Sequence, residues 1–240
     1  AWKLEEERIN DLSQAYEFDT VTLMKASTLV FPVGKTLNTQ GYYAKGDQGA
    51  AKYLIVEPQA FDGYGDHELS NGDVAVLVVG KVIDEAVFGL IGDGIVDDFN
   101  RLQLLLDKAQ ELRLPIELDG TKNYRQSNTL KNSEENKLIT IRGNGATLTR
   151  YGTDDGTAAC IETNSTDFTA SNLFFTCEKD FDVDMRAGIQ LKGRGDINLT
   201  NIAGRSCGLG VVYFKDAFRS MRATIVNLRT EGNSRGLAFD

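Results

Sequence analysis

Hydrophobic and polar positions change period three times along the chain. Trp2, Ile9, Leu12 and Tyr16 fall near one helical face, ringed by Glu5, Glu6, Glu7 and Arg8, and predict a helix over residues 1–19. The seven-residue spacing of Trp2, Ile9 and Tyr16 fits a coiled-coil seam, but Glu5 stands where an apolar residue belongs, so self-association and packing within one chain both stay open. From residue 20 to residue 83 the pattern is β-rich. Val21-Thr22-Leu23, Thr28–Phe31, Ala51–Val56 and the apolar run Val74–Val79 are separated by turn chemistry at Lys45–Gly49, Asp62–Asp66 and Asn71–Asp73, which predicts a small β module. The glycine turn Gly92–Asp98 then leads into a stripe of Leu102, Leu105, Leu106, Ala109 and Leu112. This predicts an amphipathic helix over 98–112, capped by Asp97 or Asp98 and stopped by Pro115. One strongly apolar face must cover something hydrophobic.

After Pro115 the chain breaks into short strands: Ile116–Leu118, Leu138–Ile141 and Ala146–Leu148. A repeat then emerges. Ser171-Asn172-Leu173, Thr200-Asn201-Ile202 and Val226-Asn227-Leu228 align, with asparagines 29 and 26 residues apart. A second set is Ala159–Glu162, Gly188–Leu191, Gly210–Tyr213 and Gly236–Phe239. Two strands per repeat with an asparagine at one corner predict a parallel β-helix whose corner amides stack as a ladder. A β-sandwich of irregular short strands stays open on pattern alone.

Composition narrows the function classes. The 240 residues are 41% hydrophobic and 25% charged, with 24 glycines and 3 prolines, a globular balance with many tight turns. The longest apolar run is too short to span a bilayer, and no apolar segment of signal-peptide type opens the chain. The net charge of −9 lies entirely in residues 1–130, with 12 basic against 21 acidic side chains; residues 131–240 carry 14 of each. An acidic chain without a basic patch argues against nucleic acid and anionic membranes, and no membrane insertion is expected. Cys160, Cys177 and Cys207 are an odd number without a CxxC pair, and read as buried core thiols kept reduced in a cytosol.

The stretch Ile91–Asp98 followed by Leu102–Leu106 resembles the opening of the pectate-lyase-like β-helix superfamily, a pattern frequent in tailed-bacteriophage tailspikes. Pro115–Gly120 with Tyr124 resembles the strand and turn that follow the capping helix. Gly41–Asp47, Asp62–Asp66 and Asn71–Leu77 resemble a module that precedes the β-helix in many tailspikes. The resemblance covers roughly residues 30–150 by motif. It implies a mainly β chain: an N-terminal helix (1–19), a virion-attachment module (20–83), and the start of a right-handed parallel β-helix with its capping helix (84–240). It also implies a homotrimer in the phage tail, assembled in the host cytoplasm. The N-terminal region would contact a tail, baseplate or adaptor protein, and the β-helix would recognise and depolymerise bacterial surface polysaccharide. The alternative is a non-catalytic adaptor or a truncated spike that anchors other spikes. The chain ends inside an expected strand, at Gly236–Asp240, so a longer polypeptide is expected.

The candidate chemistry is that of polysaccharide cleavage. A glycosidase needs two carboxyl groups roughly 5–10 Å apart. Glu162, Asp167, Asp182, Asp184, Asp196, Asp216 and Glu231 lie on the expected solenoid, whose coils stack about 4.8 Å apart, so carboxylates of neighbouring coils could pair. No complete catalytic set is identifiable. His67, the only histidine, reads as a surface residue; Asp154-Asp155 reads as a turn. Asp180–Asp184 reads as a charged loop lacking the glycine and terminal glutamate of an EF-hand. Gly92-Asp93-Gly94 lacks the Lys and Ser/Thr of a phosphate loop. No metal or cofactor is expected.

Overall fold

The computed structural model describes residues 16–132, 138–151, 158–164, 167–178, 186–192, 195–215, 221–231 and 236–239. The chain divides into two compact units, one reaching to Val79 and including Ala86–Gly89, the other formed by Gly80–Glu85 and Leu90 onward.

The first unit is a five-stranded sheet. Its strands are β1 (Tyr16–Phe18), β2 (Thr36–Thr39), β3 (Ala51–Val56), β4 (His67–Glu68) and β5 (Val74–Leu77), in the order β1-β2-β3-β5-β4. β1 runs parallel to β2 and the other pairs are antiparallel. Leu37, Tyr53, Ile55 and Ala75 turn inward from these strands, and Met24 and Phe31 close the core. Two local expectations change here. Most of the helix expected over 1–19 lies outside the described residues, and its last turn is strand β1, held by pairing with β2. Val21–Ala26 is a helix rather than a strand, because the Thr20 hydroxyl accepts from Leu23 N and caps it, outweighing the local β preference of Val-Thr. The segment Leu29–Val30, read as strand, is exposed and irregular. The expected turns are present. One Asp47 carboxylate accepts from the backbone N–H of Tyr42, Tyr43, Ala44 and Gly49, and Asp62 accepts from Tyr64, Gly65 and Asp66.

The second unit is a parallel β-solenoid of about four turns. β6 (Ile83–Asp84) and β7 (Asp93–Asp97) open it. The coils are β8 (Ile116–Glu117), β9 (Asn123–Gln126) and β10 (Leu130–Asn132); β11 (Ile139–Arg142), β12 (Thr147–Arg150) and β13 (Ala158–Thr163); β14 (Phe168–Cys177) and β15 (Arg186–Leu191); β16 (Gly195–Arg205) and β17 (Gly210–Phe214); β18 (Met221–Glu231) and β19 (Leu237–Phe239). Every strand pair in this unit is parallel. Like side chains therefore stack coil on coil: Ile139, Phe168 and Ile197 in one row, Ile161, Ile189 and Val212 in another. Such rows remove apolar area from water at about 25 cal/mol per Å².

The strands β14, β16 and β18 each span two faces and bend at an asparagine. Asn172, Asn201 and Asn227 have φ of 53°, 55° and 57°, a left-handed conformation that asparagine tolerates better than most residues. Asn201 donates to Asn172 and Asn227 donates to Asn201, each at 2.8 Å. The ladder read from the spacing of 29 and 26 residues is thus present as a continuous column.

The helix Phe99–Leu112 buries Leu102, Leu105, Leu106 and Ala109 against Ile116, Leu118, Leu130, Ile141, Leu148 and Ile161, leaving a void of about 20 Å³. The void is apolar-lined, and such cavities stay dry. Leu112 is partly exposed and Gln110 is buried in its place, because its amide donates to Asn132, which in turn donates to Thr163. The two aspartates divide the work at the helix start. Asp97 accepts from Phe99 N at 3.1 Å; Asp98 turns away and accepts from Ile91 N and Gly92 N at 2.9 and 2.8 Å. The helix ends before Pro115 acts, at Arg113 with φ 56°, a left-handed terminus whose backbone N–H groups return to the last turn.

Candidate functional site

The stacked coils place side chains of equal register in vertical columns on the outside of the solenoid, and the candidate carboxylates sort by column. Asp167 and Asp196 precede the paired residues Phe168 and Ile197. They stand on neighbouring coils, with Asp196 N donating to Asp167 Oδ1 at 3.1 Å. Asp196 pairs in register with Arg222, whose Nε is 3.9 Å away. Asp167 and Asp196 are thus candidate carboxylates on neighbouring coils. Glu162 is instead held by Lys192 at 2.7 Å. Glu231 is held by Arg205 at 2.6 Å and Arg229 at 3.9 Å, and the Arg205 guanidinium keeps it below the usual carboxylate range. Asp182, Asp184 and Asp216 lie outside the described residues, as do Asp154-Asp155 and the rest of Asp180–Asp184.

A denser cluster sits where β9, β12 and β14 end. The Arg125 guanidinium donates to Glu178 through Nε and Nη2 at 3.3 and 3.0 Å and to the Ile95 carbonyl at 3.3 Å. Its Cζ lies 3.6 Å from the centre of the Tyr151 ring, a cation–π contact. Asp97, in register with Arg125, accepts from Ser127 N at 3.0 Å. Burial works against the Asp97 carboxylate, but hydrogen bonds from Ser127, Phe99 N and Tyr151 prevail and hold it below its ordinary range. Ile95 and Val96 are exposed beside it. Sequence reading misses this cluster because Arg125 and Glu178 are 53 residues apart; only the coil lengths bring them together. The alternation of β9 and the acidic turn at Asp97 are the signals that were available.

This geometry bounds the chemistry. A general acid must hold a proton near neutral pH, so its carboxyl must be pushed upward. Burial does this to Glu85 and Asp98, but both are enclosed. Glu85 takes Lys122 at 2.9 Å, and Asp98 is consumed by the backbone groups named above. The solvent-facing Asp97 is instead held ionised. His67 is buried, not on the surface, with Tyr42 and Tyr53 ring centres at 6.0 and 5.5 Å. The β4 alternation directs it inward, while Asp66 anchors Leu77 N at 2.8 Å. Burial, assisted by Lys25, lowers its pKa to about 4, so it is neutral at pH 7. All three cysteines are buried, as read from the sequence. Among the described residues no group of three or more His, Cys, Asp or Glu is placed to hold a metal ion, and no helix is long and apolar enough to cross a membrane.

The fold defined by these coils is a tailspike-like parallel β-helix. The chain is similar over 95% of its length to Pantoea stewartii WceF, a glycan biofilm modifying enzyme with a bacteriophage tailspike-like fold, at 14% identity and TM-score 0.61. It is similar over 84% of its length to tailspike protein gp49 of Acinetobacter baumannii bacteriophage Fri1, a capsular polysaccharide depolymerase (14%, TM-score 0.50). It is similar over 99% to the enzymatically active domain of bacteriophage CBA120 tailspike protein 4 (14%, TM-score 0.52). The chain spans 38%, 46% and 35% of those three chains. No protein-family model and no curated protein matches its sequence.

Proposed function

We propose that the chain is the N-terminal part of a phage tailspike that recognises bacterial surface polysaccharide through its β-helix. The observation that carries this reading is the β-solenoid capped by the helix Phe99–Leu112, shared in fold with three tailspike-like proteins whose names include two glycan-modifying or depolymerising enzymes. On this reading residues 20–83 attach to the virion, the region including 1–19 adds contacts there, and three copies assemble around the β-helix that begins at residue 84. The cluster of Arg125, Tyr151, Glu178, Ile95 and Val96 suits a glycan. A sugar ring offers an apolar C–H face and a rim of hydroxyls, and this patch offers exposed apolar side chains beside charged hydrogen-bonding groups.

Cleavage is the second step of the proposal, and Asp167 with Asp196 is the pair that would serve it in this segment. Neither carboxylate is enclosed, which favours binding over catalysis here and gives the non-catalytic adaptor reading its footing. The test is incubation of the full-length protein with surface polysaccharide from the bacteria to which its particle adsorbs. A fall in polymer size with new reducing ends marks a hydrolase, unsaturated ends mark a lyase, and retention without cleavage marks a binding spike. Neither retention nor cleavage supports the adaptor and overturns the reading. Arg125→Ala is expected to weaken binding about tenfold or more, the effect of losing one charged hydrogen-bonding anchor.

A further inference from the structure

The three cysteines gather at one edge of the solenoid interior, on successive coils. Cys160 lies in β13, Cys177 ends β14, and Cys207 follows β16. The Cys177 and Cys207 sulfur atoms are 3.7 Å apart, in van der Waals contact. The Cys160 sulfur lies 3.6 Å from the Leu148 carbonyl and 3.9 Å from that of Thr176, and it also interacts with Cys177. We propose that Cys177 and Cys207 are an oxidation-sensitive pair, and that a peroxide-class oxidant links them into a disulfide that staples the β14 coil to the β16 coil.

The backbone already brings the two positions together. Thr176 is in register with Arg205, so Cys177 stands opposite Ser206, one residue from Cys207. The sulfur separation of 3.7 Å leaves only a small closure to the S–S bond length of about 2.05 Å. The surroundings favour Cys177 as the attacking thiolate. Hydrogen bonding with Cys160 and Cys207, together with the charges of Arg186 and Arg150, draws its pKa down against the effect of burial. Hydrogen bonding to Cys177 and burial push Cys207 up.

The chemistry closes in two steps. The Cys177 thiolate attacks one peroxide oxygen, the O–O bond breaks, and hydroxide leaves. Cys177 becomes a sulfenic acid, oxidised by two electrons as the peroxide is reduced. The Cys207 sulfur then attacks the Cys177 sulfur, the S–O bond breaks, and the departing hydroxide takes the Cys207 proton as water. Cys177 and Cys207 are 2% and 0% exposed, so the oxidant enters when the coil opens locally. The rate is therefore expected to climb with mild warming while the bond formed stays the same.

The test treats the full-length protein with hydrogen peroxide under folded conditions, alkylates it in denaturant and maps the peptides that carry these three cysteines. The expected result is a linked Cys177–Cys207 peptide with Cys160 alkylated, reversed by reductant, and an upward shift of the thermal midpoint in the oxidised chain. In Cys207→Ser the link is lost, and Cys177 is trapped as sulfenic acid by dimedone. Three alkylated cysteines after oxidation, a Cys160–Cys177 link, or a link that forms only when denaturant precedes the oxidant would each overturn the proposal. If Cys207→Ser does not fold, the wild-type map decides alone.

Discussion

At residue scale, Asn201 does more than either neighbour in its column. It holds a left-handed backbone, donates to Asn172 and accepts from Asn227. Replacing it with alanine removes two hydrogen bonds and leaves a Cβ-bearing residue without a polar side chain at φ 55°. Asn201→Ala is expected to cost about 1–3 kcal/mol and Asn201→Gly less, because glycine tolerates that φ; denaturant unfolding of the pair separates ladder from backbone. His67 makes a second prediction. Its folded pKa of about 4 lies below the unfolded value, so the unfolded chain binds more protons between those two pH values. Stability is therefore full above pH ~6.5 and falls toward pH 4, by on the order of 3 kcal/mol. Thermal unfolding of the first unit across that range checks it, and His67→Leu should flatten the slope. The burial of His67 was not legible in Asp66-His67-Glu68, where charged neighbours suggest a surface. Strand alternation placed it inward, a two-residue strand too short to show a period. The ladder asparagines were legible because a solenoid repeats its corners at nearly constant spacing.

At element scale, the capping helix carries the start of the solenoid. Leu105 is fully buried against the first coils, at the edge of the existing void. Leu105→Ala is expected to destabilise the second unit by about 2–5 kcal/mol, whereas Leu112→Ala, at a position 38% exposed, should cost less than ~1 kcal/mol. Chemical denaturation of the two variants compares them directly. The helix itself was legible in its leucine stripe, but its edges were not. Gln110 is polar in sequence and buried in fact because Asn132 meets it 22 residues later. Likewise Val21-Thr22-Leu23 reads as β-rich by composition, and only the Thr20 cap shows that it opens a helix. Long-range partners decide such cases, and a local pattern does not contain them. The same limit hid the Arg125–Glu178 cluster, while the Asp167–Asp196 stacking followed from the repeat.

At the scale of the whole molecule, the fold joins a small mixed sheet to a parallel solenoid whose exterior is laid out in columns. Charged side chains of neighbouring coils meet across these columns, as Glu231 does with Arg205 and Asp196 with Arg222. The most direct measurement of this account is binding of fluorescently labelled full-length protein to bacteria to which its particle adsorbs, compared with an isogenic strain lacking the surface polysaccharide. The account predicts labelling of the polysaccharide-bearing cells, displaced by the purified polymer, and loss of labelling on the deficient strain. Equal labelling of both strains, or of neither, would contradict it.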